Sequence, residues 1–117
     1  MDLSSLLATF STLPQIDSTA NDLQVVGTKI SWNGHVGSSR SIASAIVAKQ
    51  SPGNHLFILE DKEQAAYFLN DLQGIFPKNK SILFYPASYR VPYELEKTDN
   101  ANVVARAEVL EKISNSR

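Results

Sequence analysis

Hydrophobic and polar positions follow two different periods along the chain, and the two periods alternate. Apolar residues recur at helical spacing within residues 1–13, 38–50, 62–76 and 100–113, which predicts amphipathic helices. Short and mostly apolar segments at 29–32, 55–59 and 81–85 lie between them and predict strands. From residue 29 onward the order is strand, helix, strand, helix, strand, helix, which is typical of a parallel sheet with right-handed crossover connections.

The first 26 residues are predicted to form a helical appendage that precedes this alternation. Five apolar side chains share one helical stripe: Leu3, Leu6, Leu7, Phe10 and Leu13. Pro14 is expected to end that amphipathic helix, because proline cannot continue a helix interior. Residues 15–21 are polar, and 22–26 are expected to form another helical turn before Gly27. The chain is therefore divided into an appendage, 1–26, and an incomplete α/β domain, 27–117.

Capping and charge patterns set the limits of the two later helices. Asp61 is expected to cap the helix that follows the second strand, with Gln64 at the spacing of a capping box. Pro77 closes that helix. In the last helix Glu108 stands four residues before Lys112, a spacing that favours an ion pair. The apolar face of the middle helix is formed by Ala65, Phe68, Leu69, Leu72, Ile75 and Phe76.

The apolar strands point to an incomplete sheet. Leu56, Phe57, Ile58 and Leu59 form a continuous apolar run, which predicts a strand buried on both faces. Three parallel strands are fewer than the roughly 5–6 of an ordinary sheet. We therefore predict an α/β fold in which a three-stranded parallel sheet is flanked by helices and belongs to a larger protein. Exposed strand edges would promote self-association of the isolated chain.

Composition narrows the function classes. The chain has 117 residues, no cysteine and a formal net charge of -1. It therefore has neither a disulfide framework nor a thiolate metal site, and a strongly basic nucleic-acid-binding face is not expected. No apolar run approaches the ~18 residues of a membrane span, and the start lacks a basic secretory signal. A cytoplasmic location without a membrane partner is the default expectation.

The segment that leads from the first strand into the next helix resembles a phosphate-binding loop. Such a loop reads G-x-x-x-x-G-K-[ST], and the frame that starts at Gly34 has Ser39 in place of the second glycine and Arg40 in place of the lysine. Gly37 and Ser41 retain the backbone and hydroxyl parts of the arrangement. We predict a degenerate loop in which productive ATP binding is lost and a simple anion is the better ligand. Its residues are Gly34, Gly37, Ser38, Ser39, Arg40 and Ser41.

No catalytic or metal-binding set is predicted. Glu60 and Asp61 follow a strand, as magnesium ligands do in nucleotide sites, but they stand at a helix start, where a capping role is favoured. His35 and His55 are 20 residues apart and have no third ligand at a recognisable spacing. The serines of the loop lack the G-x-S-x-G pattern of a nucleophile elbow.

A second candidate site follows the third strand. Residues 85–94 combine three tyrosines with an arginine, a composition that can stack on bases or contact a protein partner. A covering loop that packs on the end of the sheet is the plainer interpretation. The candidate interaction residues are Tyr85, Tyr89, Arg90, Tyr93 and Glu94.

Three segments together resemble the amino-terminal region of bacterial transcription-repair coupling factors. They are residues 33–41 after the first strand, 60–66 at the second junction and 84–94 at the third. That region is similar to the first motor-like domain of the excision-repair subunit UvrB, which keeps glycine and lysine where this chain has Ser39 and Arg40. The resemblance covers roughly residues 27–113 and implies a partial P-loop, RecA/helicase-like three-layer fold.

The resemblance also implies a role in DNA repair. The family consists of large cytoplasmic proteins that displace stalled RNA polymerase with an ATP-driven DNA translocase and recruit UvrA for nucleotide excision repair. The amino-terminal module is non-catalytic in that family and helps to hold the protein in a repressed state. ATP, magnesium, DNA, RNA polymerase and UvrA would all be bound by regions outside this chain, whose direct partners would be other domains of the parent protein.

Two alternatives remain open from the residues alone. One is an active P-loop ATPase or helicase domain in which Arg40 replaces the usual lysine. The other is a nucleic-acid-binding module that uses Tyr85, Tyr89, Arg90 and Tyr93.

Overall fold

Helices make up the regular structure of the described part of this chain, and turns and irregular segments lie between them. The computed structural model describes residues 2–79, 81–87 and 100–115. Within them lie five helices: α1 (Leu3–Ser11), α2 (Pro14–Asp22), α3 (Ser39–Gln50), α4 (Lys62–Ile75) and α5 (Asn100–Asn115).

The first two helices form a pair around Pro14. Asp2 caps α1 by accepting a hydrogen bond from Ser5 N at 2.8 Å. The predicted helix at the start of the chain is confirmed, and it ends before Pro14. The polar segment that follows is not a loop, however, because Pro14 also begins α2. Proline fits the first turn of a helix, where its missing N–H would have no partner.

Helix α2 was not predicted because few of its residues are apolar. Its buried residues are Ile16, Thr19 and Ala20, at helical spacing. The helical turn predicted over 22–26 is confirmed in part: α2 extends to Asp22, and turns closed by hydrogen bonds such as Val25 N to Asp22 O at 3.1 Å follow up to Gly27. A narrow contact stripe is therefore enough to hold this helix on its neighbour.

Helix α3 lies at the centre of two core clusters. In the first, Ala43, Ile46 and Val47 of α3 pack with Ile16 and Ala20 of α2. In the second, Ala45 of α3 packs with residues of α4 and is only 1% exposed. Small side chains on both sides of α3 allow helices to approach it closely, because interiors are packed without large voids. The α4 members of the second cluster are Phe68 and Leu72.

The predicted ends of α4 and the ion pair of α5 are confirmed. Asp61 accepts a hydrogen bond from Gln64 N at 2.8 Å and caps α4. The cap residue at the other end is Phe76, directly before Pro77. In α5, Lys112 Nζ lies 3.1 Å from Glu108 Oε1.

The predicted three-stranded parallel sheet is wrong. The described residues contain no strand, and the segments 28–36, 54–59 and 82–87 have no regular structure. Among the residues described, no backbone hydrogen bond joins these segments to one another. Leu56 and Ile58 are 85% and 86% exposed, so the apolar run is not buried on both faces as predicted. The structure is therefore helical, and the partial P-loop architecture is not observed.

None of the described helices is both long enough and apolar enough to cross a membrane.

Candidate functional site

The loop before α3 owes its turn to two glycines and one serine. Gly34 and Gly37 have φ values of 81° and 56°, which side chains with a Cβ rarely adopt. Ser39 N donates to Val36 O at 3.2 Å, and Ser39 Oγ accepts from Val36 N at 3.0 Å. His35 Nδ1 lies 3.3 Å from the same hydroxyl. Ser39 therefore closes the turn at a position where a phosphate loop would carry glycine.

Ser38 is the cap residue of α3 but does not cap it with its side chain. Its carbonyl oxygen accepts from Ile42 N at 3.0 Å. This bond belongs to the ordinary first turn of an α-helix, and residues 28–36 before the turn do not form the strand that was predicted to precede it.

Arg40 extends from α3 toward α4. Its Nη2 is 3.4 Å from Gln64 Oε1, and its Cζ lies 5.9 Å from the centroid of the Phe68 ring. The hydrogen bond is long and the side chain is exposed, so each contact is weak. Gln64 uses its side chain for this contact with Arg40, while its backbone N–H completes the cap of α4.

Ser41 forms the shortest contact between the two helices at this end. Its Oγ donates to Asp71 Oδ2 at 2.7 Å, a typical length for a hydrogen bond to a carboxylate. Ser41 is 5% exposed, and Asp71 is half-buried. The hydroxyl that would bind magnesium in a working phosphate loop is therefore occupied by a side chain of α4.

These side chains surround a pocket of about 240 Å³. Arg40 contributes a positive charge and Asp71 a negative charge to its wall, so the pocket is not an electropositive site. Gly37, Ser38, Arg40, Ser41, Gln64, Tyr67, Phe68 and Asp71 line it. The structure thus brings four of the predicted loop residues to this pocket, while Gly34 and Ser39 lie outside its lining.

The α4 side of the pocket was not predicted. Phe68 and Asp71 follow Gln64 by four and by seven residues. This spacing places the three side chains along one side of α4. The sequence signal that could have indicated this side of the pocket is a polar residue on either side of the apolar Phe68 along that face of α4. Nothing in the sequence specified that this face would meet Ser41.

A larger cleft of about 470 Å³ lies between α2, α3 and the segments 28–32 and 55–57. Its wall includes Trp32, whose Nε1 donates to Thr19 Oγ1 at 3.1 Å. These two polar groups satisfy each other, and much of the remaining wall is apolar. None of the predicted loop residues belongs to it, so the smaller pocket is the one that carries the candidate chemistry.

The second candidate site is described only at its start. Tyr89, Arg90, Tyr93 and Glu94 lie outside the described residues. Tyr85 is 47% exposed, and the Cζ atom of Arg106 lies 4.5 Å from the centroid of its ring. Arg106 Nη1 also donates to Pro86 O at 3.1 Å.

Arg106 thus joins α5 to the segment before it. It was not singled out from the sequence, because its position in a predicted helix gives no indication of an aromatic partner twenty-one residues away.

Within the described part of the chain, no group of three or more His, Asp or Glu side chains is placed to hold a metal ion. His35 and His55 instead contact the turn before α3 and the end of α3, where His55 Nε2 donates to Ser51 O at 3.1 Å.

Comparison of the chain with protein-family models, with curated proteins and with solved structures found no match.

Proposed function

We propose that this chain is a non-catalytic scaffold module and that it serves in a transcription-coupled nucleotide-excision repair factor. The hydrogen bond from Ser41 to Asp71 carries the non-catalytic part of this proposal. In a working phosphate loop this hydroxyl binds magnesium, whereas here it donates to a carboxylate at 2.7 Å. A buried hydroxyl that is already bonded gives up that bond to bind a metal, which lowers its affinity.

The charges around the pocket support the same conclusion. A phosphate group placed at the start of α3 would meet the guanidinium of Arg40 but also the carboxylate of Asp71. Like charges at close range repel, and the repulsion is stronger where water is partly excluded. Arg40 and Ser41 both contact α4. The degenerate loop therefore serves the junction of α3 with α4.

The repair part of the proposal rests on the three segments that resemble transcription-repair coupling factors. In the proposed parent protein, an ATP-driven translocase domain would displace stalled RNA polymerase, and another region would recruit UvrA. ATP, magnesium and DNA would bind to those regions, and this chain would contact other domains of the same cytoplasmic protein. The chain would supply a fixed helical body for those contacts.

Calorimetric titration of the 117-residue chain with ATP and magnesium tests the non-catalytic part. No saturable heat is expected, either for the natural sequence or for Ser41→Ala. Micromolar binding that requires magnesium and is lost in Ser41→Ala would refute the proposal. A turnover assay provides the matching test of the ATPase alternative: ATP hydrolysis that is lost in Arg40→Ala would support that alternative.

A separate experiment tests the repair part. Deletion of the gene that encodes this chain is expected to abolish the faster repair of ultraviolet lesions in transcribed strands relative to non-transcribed strands. An unchanged difference between the two strands would contradict the repair role. It would not affect the non-catalytic part of the proposal, which the ATP titration tests separately.

A further inference from the structure

The segment between Trp32 and the turn before α3 contains the pair Asn33 and Gly34. Both residues are exposed and have no regular structure. No other asparagine of the chain is followed by glycine. The amide carbon of an asparagine side chain can be reached by the next backbone nitrogen, because a bond between the two atoms closes a five-membered ring. The pair is therefore a place where the backbone can react with its own side chain.

The backbone nitrogen of Gly34 is accessible for this reaction. Within residues 2–79, 81–87 and 100–115, no hydrogen bond involves Gly34 N or the side-chain amide of Asn33. Gly34 has a φ of 81°, and a Cβ added to it would meet no atom of the described residues within 4 Å. The nitrogen is thus neither bonded nor crowded. Rotation about the backbone of Asn33 can bring the two reacting atoms together, which is the requirement for attack within one molecule.

We propose that Asn33 is a site of spontaneous deamidation, in which Gly34 N displaces ammonia from the Asn33 side chain. The inference is independent of the proposed repair function. Gly34 N gives up its proton to base and forms a bond to Cγ of Asn33. The bond from Cγ to Nδ2 then breaks, and ammonia leaves with a proton from the solvent. The product is a succinimide ring, and water is the only other reagent that the reaction needs.

Hydrolysis of the ring gives two products. Water that attacks Cγ breaks its bond to Gly34 N and leaves aspartate. Water that attacks the backbone carbonyl carbon of residue 33 leaves isoaspartate, in which the main chain passes through the former side chain. Either product adds one carboxylate to a chain whose formal net charge is -1.

The modification falls on the backbone connection between two aromatic side chains. Trp32 Nε1 donates to Thr19 Oγ1 at 3.1 Å, and the ring centroids of Trp32 and His35 are 5.3 Å apart. Isoaspartate lengthens the main chain between these two residues by one carbon atom. The ageing of this side chain therefore alters the entry to the degenerate loop rather than a distant surface.

Two other asparagines separate the contributions of the glycine and of the backbone. Asn54 is exposed and lies in an irregular segment, but it is followed by His55, whose side chain crowds the attacking nitrogen. Asn70 is also exposed, but it lies within α4, where the next N–H is held by the hydrogen bonds of the helix. Exposure alone therefore does not distinguish the three positions, and Asn33 is expected to react fastest.

Peptide mapping of the full chain tests this order. The chain is incubated in its folded state at mildly alkaline pH, and samples are digested with trypsin in weakly acidic buffer, which limits deamidation during digestion. Cleavage after Lys29 and Arg40 gives the peptide 30–40, in which Asn33 is the one side-chain amide. Mass spectrometry is expected to show a growing fraction in which an NH₂ group is replaced by OH, divided between two chromatographic species.

The peptides 50–62 and 63–78 of the same digest report on Asn54 and Asn70, and fragment spectra locate any change within them. Both are expected to change more slowly than 30–40. A synthetic peptide of residues 30–40 gives the rate without the fold, and the folded chain is expected to react at a comparable rate. An unchanged peptide 30–40, faster reaction at Asn54 or Asn70, or strong protection relative to the synthetic peptide would overturn the proposal.

A glycine substitution tests the nucleophile. Gly34→Ala is expected to slow the reaction at Asn33 about tenfold or more, since a side chain beside the attacking nitrogen hinders ring closure; a factor of ten corresponds to about 1.4 kcal/mol in the barrier. Gly53→Ala is the matched control, because Gly53 also has a positive φ, of 102°, but follows Pro52. Circular dichroism would verify that both variants keep their helices. Equal rates at Asn33 in the natural chain and in Gly34→Ala would overturn the proposed mechanism.

Discussion

Removal of the Asp71 carboxylate is expected to destabilise the chain more than removal of the Ser41 hydroxyl that bonds to it. Ser41 is 5% exposed, and its Oγ lies 2.7 Å from Asp71 Oδ2. In Asp71→Ala the hydroxyl stays buried without this acceptor, and an unsatisfied buried polar group costs about 1–3 kcal/mol. In Ser41→Ala the half-buried carboxylate remains within reach of water. The free energy of unfolding then falls by about 1 kcal/mol, the net value of one hydrogen bond.

Two further variants sharpen this expectation. The double variant S41A/D71A is expected to lose no more stability than Asp71→Ala, because replacing both partners leaves no unsatisfied group. Asp71→Asn keeps an acceptor oxygen and is expected to lose less than Asp71→Ala. Gln73→Ala is the matched control on the same helix: its side chain is exposed, so a change within about 0.5 kcal/mol is expected.

Urea unfolding followed by far-ultraviolet circular dichroism and by the emission of Trp32 measures these free energies. Agreement of the two probes would support two-state unfolding, on which the comparison depends. Equal losses in Asp71→Ala and Ser41→Ala would refute the reasoning, because they would mean that the hydroxyl finds another acceptor, such as a carbonyl of its own helix. A loss in the double variant equal to the sum of the single losses would refute it too, since it would show no coupling.

Three other changes give distinct readouts. Ala45→Leu is expected to lower the free energy of unfolding by about 1–3 kcal/mol through overpacking, because Ala45 of α3 is 1% exposed where α3 packs on α4. An unchanged urea midpoint would show that unfilled space exists there. Trp32→Phe removes the hydrogen bond from Nε1 to the buried Thr19 and is expected to lose about 1 kcal/mol in urea titrations monitored by circular dichroism. The backbone and side-chain hydrogen bonds from Ser5 lower the pKa of Asp2 below its ordinary value of 3.8. The stabilisation of α1 by the Asp2 carboxylate is therefore present above pH 3.8 and is lost as the pH falls through the lowered pKa. Helix content in acid should therefore drop more in the natural chain than in Asp2→Ala, and equal acid profiles would contradict this.

Much of the helical structure could be predicted from local pattern. Helix α4 is specified by Asp61 at its start, by an apolar face and by Pro77 after its end, and all three features operate over a few residues. Helix α2 shows the limit of the method. Its three buried residues occupy one narrow stripe, and its remaining residues are mostly polar, so the sequence alone resembles a loop.

The predicted strands failed for a different reason. An apolar run shows that a segment gains by leaving water, but a strand exists only when a second segment pairs with its backbone. Leu56 and Ile58 have the residue type of a buried strand, yet they are exposed, and no described segment pairs beside them. Pairing between distant segments is not encoded in a local window. The alternation of apolar segments with helical patterns therefore predicts a sheet that is not observed in the described residues.

The phosphate-loop pattern predicted the turn but not its partner. Gly34 and Gly37 do adopt positive φ values, although only Gly34 stands at a glycine position of the pattern, and a helix does begin directly after the turn. A turn of this kind needs glycines whatever follows it, so the match in glycines reports on backbone geometry. The identity of a ligand depends instead on the groups that face the helix start. Here those groups include Asp71, which lies thirty positions beyond Ser41 and belongs to no loop motif.

This separation explains how one short segment can fit both a nucleotide site and a helix junction. Both need a tight turn, a small side chain at the start of the helix and a cation beside it. In a nucleotide site the three converge on phosphate. In this chain the hydroxyl of Ser41 and the guanidinium of Arg40 each contact α4, so the same residues contribute to the packing of two helices. The residues of α4 that face the turn therefore determine whether such a segment binds phosphate or packs two helices together. Comparison of Asp71→Ala with Ser41→Ala measures how much of the free energy of unfolding comes from the contact between Ser41 and Asp71.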